Sequence, residues 1–216
     1  MKLYSYWRSS CAWRVRIALN LKKFEYDYVP VNIAPGVNEQ DGAPYAAVNR
    51  FQQVPTLEWT EQSMTRRLTQ STAIVEYLEE LRPDPPLLPR ELLARARVRE
   101  AVQIVNSGIQ PLQNTWLQRR LRELAGEAPV PGFVQNVIQR GLTVLEAHAQ
   151  VHAGRYSVGD VITLADVYLV PQLYNARRAN IDLTPYTRLC AIERELEALP
   201  EFAGARPERQ PDAAQA

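Results

Sequence analysis

Cysteine, histidine and one-sided charge are scarce in this 216-residue chain, which carries two cysteines and two histidines. Cys11 and Cys190 lie far apart, so no disulfide framework is read from them and a reducing compartment, the cytoplasm, is expected. A C-x-x-C motif around Cys11 would need cysteine at position 8 or 14. Both are arginine, which excludes dithiol chemistry of that type. No glycine precedes Gly36, which removes a phosphate loop of the G-x-x-x-x-G-K kind from the first strand-to-helix junction. Basic and acidic residues number 25 and 24, giving a net charge of +1, without the basic excess that nucleic-acid binding needs. Only Lys2, Lys22 and Lys23 are lysines; every other basic residue is arginine, the better fork for carboxylates. No apolar run approaches the roughly 18 residues of a membrane span. Met1-Lys2 leads straight into a strand pattern, so no secretory leader is expected. His148 and His152 fall at i, i+4, a spacing that chelates zinc. They lack the Glu of an H-E-x-x-H motif and an evident third ligand, so no metal site is expected.

What is present falls into two halves. Leu3, Tyr4, Tyr6 and Trp7 form a short strand pattern, and Val15, Ile17, Ala18, Leu19 and Leu21 fit one side of a helix over 10–23. "FEYDYVPVNI" alternates like a strand, and a crossover of this length suits two parallel strands. An irregular stretch follows over 34–50. "VPTLEW" and "RRLTQ" then read as a strand pair and "STAIVEYLEEL" as a helix, giving β-α-β-(α)-β-β-α. "RPDPPLLPRE" breaks the pattern with four prolines. We therefore expect an α/β domain over 1–82, a linker over 83–90 and an all-helical domain over 91–216. Its helical patterns run over 91–108, 111–125, 131–153, 163–178 and 186–198. The end, "AGARPERQPDAAQA", reads as an extended or disordered tail. "VITLADV" predicts a helix start with Thr163 at the N-cap and Asp166 at N3.

The segments "SSCAWRVRIALNLK", "QVPTLEW", "QSTAIVEYLEELRPDPPLLP", "GIQPLQN", "GDVITLADVYLVPQ" and "IDLTPY" together resemble the zeta class of glutathione transferases, in the same order over residues 2 to about 200. The resemblance implies a thioredoxin-like glutathione-binding domain followed by an all-α domain with the substrate pocket. It further implies a homodimer and glutathione as a regenerated cofactor. The implied activity is glutathione-dependent cis–trans isomerisation of a small maleyl keto acid, maleylacetoacetate to fumarylacetoacetate, in aromatic amino acid (tyrosine) catabolism. The alternatives are maleylpyruvate isomerisation in the gentisate pathway, a general zeta-class transferase or dehalogenase, and a non-catalytic glutathione-binding module.

The resemblance also distributes roles. It makes the Val54-Pro55 bond cis, so that the Val54 peptide pairs a cysteinyl peptide like an added strand. Gln70 and Ser71, where a helix begins, would hold the γ-glutamyl carboxylate on free N–H groups; on residues alone Ser71 is equally a plain helix cap. Ser9, Ser10 and Cys11 open the first helix, whose field and hydroxyls lower the pKa of a nearby thiol, with Ser10 the donor to a bound glutathione sulfur. Cys11 read alone is also a small packed residue. Arg8 would face the substrate and Arg178 would hold its carboxylate. Gln40, Gln110 and Asn114 are implied contacts to glutathione. Three departures stand out. Residues 58–69 look longer than a tight hairpin, which predicts a displaced register before Gln70. Thr69 stands where relatives often have His, and Trp116 where they often have a small polar residue.

Overall fold

The computed structural model describes residues 1–213, which separate into two compact units. Met1–Pro85 and the segment from Leu199 form the first, and Pro86–Ala198 the second.

In the first unit β1 (Lys2–Ser5), α1 (Ser10–Leu21) and β2 (Asp27–Pro30) form the expected crossover, with β1 and β2 parallel. The irregular stretch holds one 3-10 turn at Glu39–Asp41 and a single-turn helix, α2 (Ala43–Ala46). β3 (Thr56–Glu61) and β4 (Met64–Thr69) complete a four-stranded mixed sheet ordered β2-β1-β3-β4, and α3 (Ser71–Leu81) follows. Ile74, Val75 and Leu78 of α3 are buried, as are Val15, Ile17, Ala18 and Leu19 of α1, and the two helices pack together. This is the thioredoxin-like arrangement. Trp59 of β3 stacks on Tyr77 of α3 with ring centroids 5.0 Å apart.

The long-hairpin expectation is corrected. β3 and β4 pair in register from Thr56–Thr69 to Glu61–Met64, leaving only Gln62 and Ser63 as the turn. Both have positive φ, at 48° and 63°, which a two-residue turn matched to strand twist demands. Residues 58–69 go into paired strand with a two-residue loop, so the approach to Gln70 is fixed by continuous pairing.

The tail expectation is corrected as well for residues 203–213; residues 214–216 lie outside the described residues. Beyond Ala198 the chain rejoins the first unit, where α9 (Pro200–Gly204) packs on α1. The helical unit thus runs from Pro86 to Ala198 rather than over 91–216, and the first stretch of the α/β unit ends at Pro85. Asn20 Nδ2 donates to the Glu201 carbonyl at 2.9 Å. Ala205, Pro207, Gln210 and Asp212 are buried, and Asp212 accepts from Tyr28 Oη at 2.7 Å and from the Trp7 amide at 3.0 Å. The segment is polar in sequence because its partners are hydrogen-bonding groups.

Two buried cations brace this unit. Lys22, fully buried, pairs with Glu79 of α3 and donates to the carbonyls of Arg82 and Pro85 at 2.7 and 2.6 Å. Arg16, also fully buried, donates to Ala205 O, Ser5 Oγ, Tyr6 O and Trp7 O at 3.2, 3.1, 3.4 and 2.9 Å. Burial pushes its pKa down to about 10, against the opposing pull of Tyr28, Tyr26 and Asp212, so it stays ionised at neutral pH.

The second unit is helical: α4 (Leu92–Asn106), α5 (Thr115–Ala125), α6 (Pro129–His152), α7 (Leu164–Arg178) and α8 (Thr187–Glu197). α7 is its centre, buried on all sides from Leu164 to Leu173 and packed on α4 and α8. On α6, Gly141 admits the Ile109 side chain; a Cβ there would lie 2.3 Å from Ile109 Cγ1. Thr163 and Asp166 form the expected capping box. The Asp166 carboxylate accepts from the Thr163 amide at 2.7 Å and also from the Ser157 amide at 2.8 Å, tying the preceding loop to the helix start. Asp166→Ala is therefore expected to cost about 2 kcal/mol, the upper range for a helix cap. It would be read as a lower urea midpoint at unchanged m-value. Among the described residues no helix is long and apolar enough to cross a membrane.

Candidate glutathione-type site and its helical counterpart

The first unit gathers Arg8, Ser9, Ser10 and Cys11 at the start of α1, Val54 and Pro55 at the start of β3, and Gln70 and Ser71 at the start of α3. Ser9 is the N-cap of α1, and its Oγ accepts from the Ala12 amide at 3.2 Å. That bond uses a lone pair and leaves the hydroxyl proton to be donated elsewhere. Ser9 is half-buried, whereas Ser10 is only 6% exposed. Cys11 is half-buried and carries a free thiol. Arg8 lies over the Trp7 ring, its guanidinium carbon 4.9 Å from the centroid, which restricts where the charge points.

The Val54-Pro55 bond is cis, as the resemblance implied. Val54 belongs to an apolar cluster with Tyr6, Val31 and Tyr45, against which Tyr4, Trp7, Ile33, Ala34 and Val48 pack. Tyr45 Oη and Asn49 Nδ2 donate to the Gln53 carbonyl at 2.8 and 2.7 Å, and Tyr45 Oη also bonds Thr56 Oγ1 at 3.0 Å. Tyr45 of α2 and Asn49 just beyond it thus clamp the peptide that leads into β3.

Gln70, not Ser71, is the N-cap of α3, and its backbone is unusual: φ 69°, ψ 114°. With φ positive and ψ 114°, outside the left-handed helical basin that most positive-φ residues occupy, this backbone is strained. Ser71 is the first helical residue, 5% exposed, and its Oγ accepts from Arg14 Nη1 at 3.5 Å. Arg14 is fully buried on α1. A cation beneath the N-terminus of α3 adds to the field that attracts a carboxylate there. Nothing in the sequence marks Arg14 for this role, and only the packing of α1 on α3 reveals its placement. Gln40 lies in the 3-10 turn; its Nε2 reaches Asn38 Oδ1 at 3.5 Å, while its buried Oε1 has no hydrogen-bond partner. A surface recess beside Asn20, Phe24 and Pro200 sits at the other end of α1 and contains none of these residues.

The second unit holds the remaining candidates. Arg177 is bound in two places to Glu193 of α8, Nη1 to Oε1 at 2.6 Å and Nη2 to Oε2, and that pairing raises its pKa. The salt bridge assigns Arg177 to structure. Arg178, next along the last turn of α7, is exposed and projects from a different face. Asn114 is the N-cap of α5, with Oδ1 accepting from the Trp116 amide at 2.9 Å. Gln110 Oε1 accepts from Gln113 Nε2 at 2.9 Å, and Gln113 in turn exchanges hydrogen bonds with the fully buried Gln172. Their amides are thus part of a polar network inside the unit, which the sequence did not disclose. Trp116 is 60% exposed. Beside the histidine pair lies Glu100 of α4, one potential ligand atom from each of the three within 4.8 Å of the others.

These residues fit glutathione. The tripeptide needs a hydrogen-bond donor at its sulfur, a peptide edge for its cysteinyl residue and a positive helix end for its γ-glutamyl carboxylate. Ser9, the Val54 peptide and the Gln70–Ser71 start of α3 offer one group of each kind, and Gln40 Oε1, buried and without a hydrogen-bond partner, offers an acceptor.

Comparison with known proteins agrees. Residues 1–80 match the glutathione S-transferase N-terminal domain family. The chain is 47% identical to probable maleylacetoacetate isomerase 2 of Drosophila melanogaster over 97% of this chain and 89% of that protein. It superposes with a TM-score of 0.90 and 50% identity on maleylacetoacetate isomerase from Anaeromyxobacter dehalogenans 2CP-1 with glutathione bound in the active site, covering 98% and 97% of the two chains. A bacterial zeta-class maleylpyruvate isomerase gives a TM-score of 0.92 at 42% identity over 98% and 99%.

Proposed function

The chain belongs to the zeta-class glutathione transferase family, and on that premise we propose that it is a glutathione-dependent cis–trans isomerase converting maleylacetoacetate to fumarylacetoacetate. The full-length likeness to an isomerase with glutathione in its active site carries this reading, and the intact residues of the first unit support it. Within the same reading the first unit binds glutathione and the helical unit supplies the substrate contacts. The enzyme acts as a cytoplasmic homodimer in tyrosine breakdown.

When bound, glutathione supplies a thiol whose reversible addition turns the maleyl double bond into a rotatable single bond. The protein's part is binding, ionisation and charge stabilisation. Ser9 is assigned as the donor that keeps the sulfur anionic, in place of Ser10, because Ser9 is the more accessible hydroxyl and its oxygen is already fixed by the α1 cap. Ser10, the first residue of α1, is buried. Cys11 lines the same helix start without a covalent role. The Val54 peptide beside Pro55 pairs the cysteinyl backbone. Gln70 and Ser71, with Arg14 behind them, hold the γ-glutamyl carboxylate, and Gln40 accepts from the other end of the tripeptide. Gln110 and Asn114 are assigned as further amide contacts from the helical unit. Arg8 stabilises negative charge as it develops on the substrate oxygens, and Arg178 binds the distal carboxylate.

The test is an absorbance assay of maleylacetoacetate and maleylpyruvate, each with and without glutathione. Turnover is expected to fall to the uncatalysed rate when glutathione is omitted, and the tripeptide is expected to be recovered unconsumed. Equal isomerisation without glutathione overturns the reading. Thioether accumulating one-for-one with substrate loss converts it to a transferase. The likeness to a maleylpyruvate isomerase favours a second substrate; a higher kcat/KM for maleylpyruvate would make the shorter keto acid the physiological one.

A further inference from the structure

His148 and His152 lie one turn apart on α6, their ring centroids 4.6 Å from each other. Glu100 reaches them from α4, with Oε2 3.5 Å from His148 Nε2. One ligand atom from each of the three lies within 4.8 Å of the others. We propose that Glu100, His148 and His152 form a binding site for one divalent transition-metal ion, of the Zn2+ type, that links α4 to α6 in the helical unit.

The geometry is close to what an ion requires. Ligand bonds of about 2.0–2.2 Å in a tetrahedral site separate the donor atoms by roughly 3.3–3.6 Å. Side-chain rotations bringing the donors together by about an ångström would complete it. Two imidazoles with one carboxylate suit zinc and its neighbours rather than magnesium or calcium, and three protein ligands leave the fourth position for water.

A second observation points to a ligand at this place. The His148 side chain is only 6% exposed, and its Nε2 has no hydrogen-bond partner. Buried polar atoms are normally satisfied, and an orphaned ring nitrogen facing a carboxylate and a second imidazole is placed as a ligand is placed. Burial, helped by His152 and Arg97 and opposed by Glu100 and a backbone hydrogen bond to Arg97, lowers the His148 pKa, so the ring is neutral and able to coordinate at neutral pH. One competitor is present. Arg97 Nη1 donates to the same Glu100 Oε2 at 2.6 Å. Exposed pairs of this i, i+3 kind are weak, so a metal would displace the guanidinium from that oxygen.

The test is calorimetric titration of the glutathione-free, tag-free protein with ZnCl2, repeated with CoCl2 and monitored by visible absorption. One ion per chain is expected, with the strong d–d bands of four-coordinate cobalt. His152→Ala and Glu100→Gln, both at accessible side chains and therefore compatible with folding, are each expected to weaken binding by more than about a hundredfold, beyond the effect of losing a supporting contact. Arg97→Ala, which removes the competitor, is expected to tighten binding. Absence of a one-ion isotherm overturns the proposal. So does binding to His152→Ala and Glu100→Gln with parental affinity, which would place the ion on Cys11, Cys190 or the amino terminus.

Discussion

The Ser9→Ala variant is expected to lose about 10²–10³-fold in kcat/KM, the effect of deleting one donor to a developing or resident anion. Ser9 is singled out by where its hydroxyl sits. The Ala12 amide at 3.2 Å orients the oxygen, and the remaining proton is available to a sulfur. The same substitution removes an N-cap, which costs about 1 kcal/mol of stability, so folding survives and the two losses can be measured apart. Initial rates at limiting and saturating glutathione, with the ultraviolet absorbance of the bound thiolate followed across pH, would read the effect. A raised thiol pKa in the Ser9→Ala complex is the expected signature. Ser10→Ala should change kcat/KM by less than about tenfold, below the effect of a lost anion donor. The reverse ranking would return the donor role to Ser10.

Arg16→Met is expected to be the most destabilising single change considered, at about 3–5 kcal/mol, as for breaking a buried charged network. Methionine fills much of the volume, but it leaves the carbonyls of Tyr6, Trp7 and Ala205 without their buried donor. Set against a typical total of about 5–15 kcal/mol, that is a large fraction. For a chain of this size the melting temperature should fall by roughly 6–20 °C. The loss should also reach function, because Tyr6 and Trp7 lead directly into Arg8 and Ser9. Glutathione affinity measured below the melting transition is expected to drop with it. Arg16→Lys should fall in between, since an ammonium cannot span acceptors that a planar fork reaches together. A melting temperature within 2–4 °C of the parent, about 1 kcal/mol, would show that Arg16 is not the brace described here.

These two residues also mark how far the sequence could be read. The β-α-β opening, the strand pair, α3, the five long helices and the Thr163–Asp166 cap were all legible, because each rests on hydrophobic period or local turn chemistry within a few residues. Ser9, Ser10 and Cys11 could be placed at a helix start for the same reason. The strained backbone of Gln70 could not, because nothing in a glutamine side chain announces a positive φ. Arg14 and Arg16 look like any two arginines on a helix. Their burial, and the contact of Arg14 with Ser71, depend on which helix lies across α1. The C-terminal segment was misjudged because composition registers polarity, and its Asp212 is held by half-buried partners 205 and 184 positions earlier. Residues 58–69 were misjudged for a related reason: length in a sequence does not say whether it goes into strand or into loop.

By itself, then, the sequence determined the order and kind of the elements, the two-part organisation and the family, since those follow from short-range periodicity and from motifs kept in order. The tertiary structure alone decided which hydroxyl is accessible, which arginines are buried, where residues 199–213 dock and that Glu100 meets two histidines from another helix. Each of those depends on contacts between residues distant along the chain, and such contacts are set by the packing of whole elements rather than by any local run of residues.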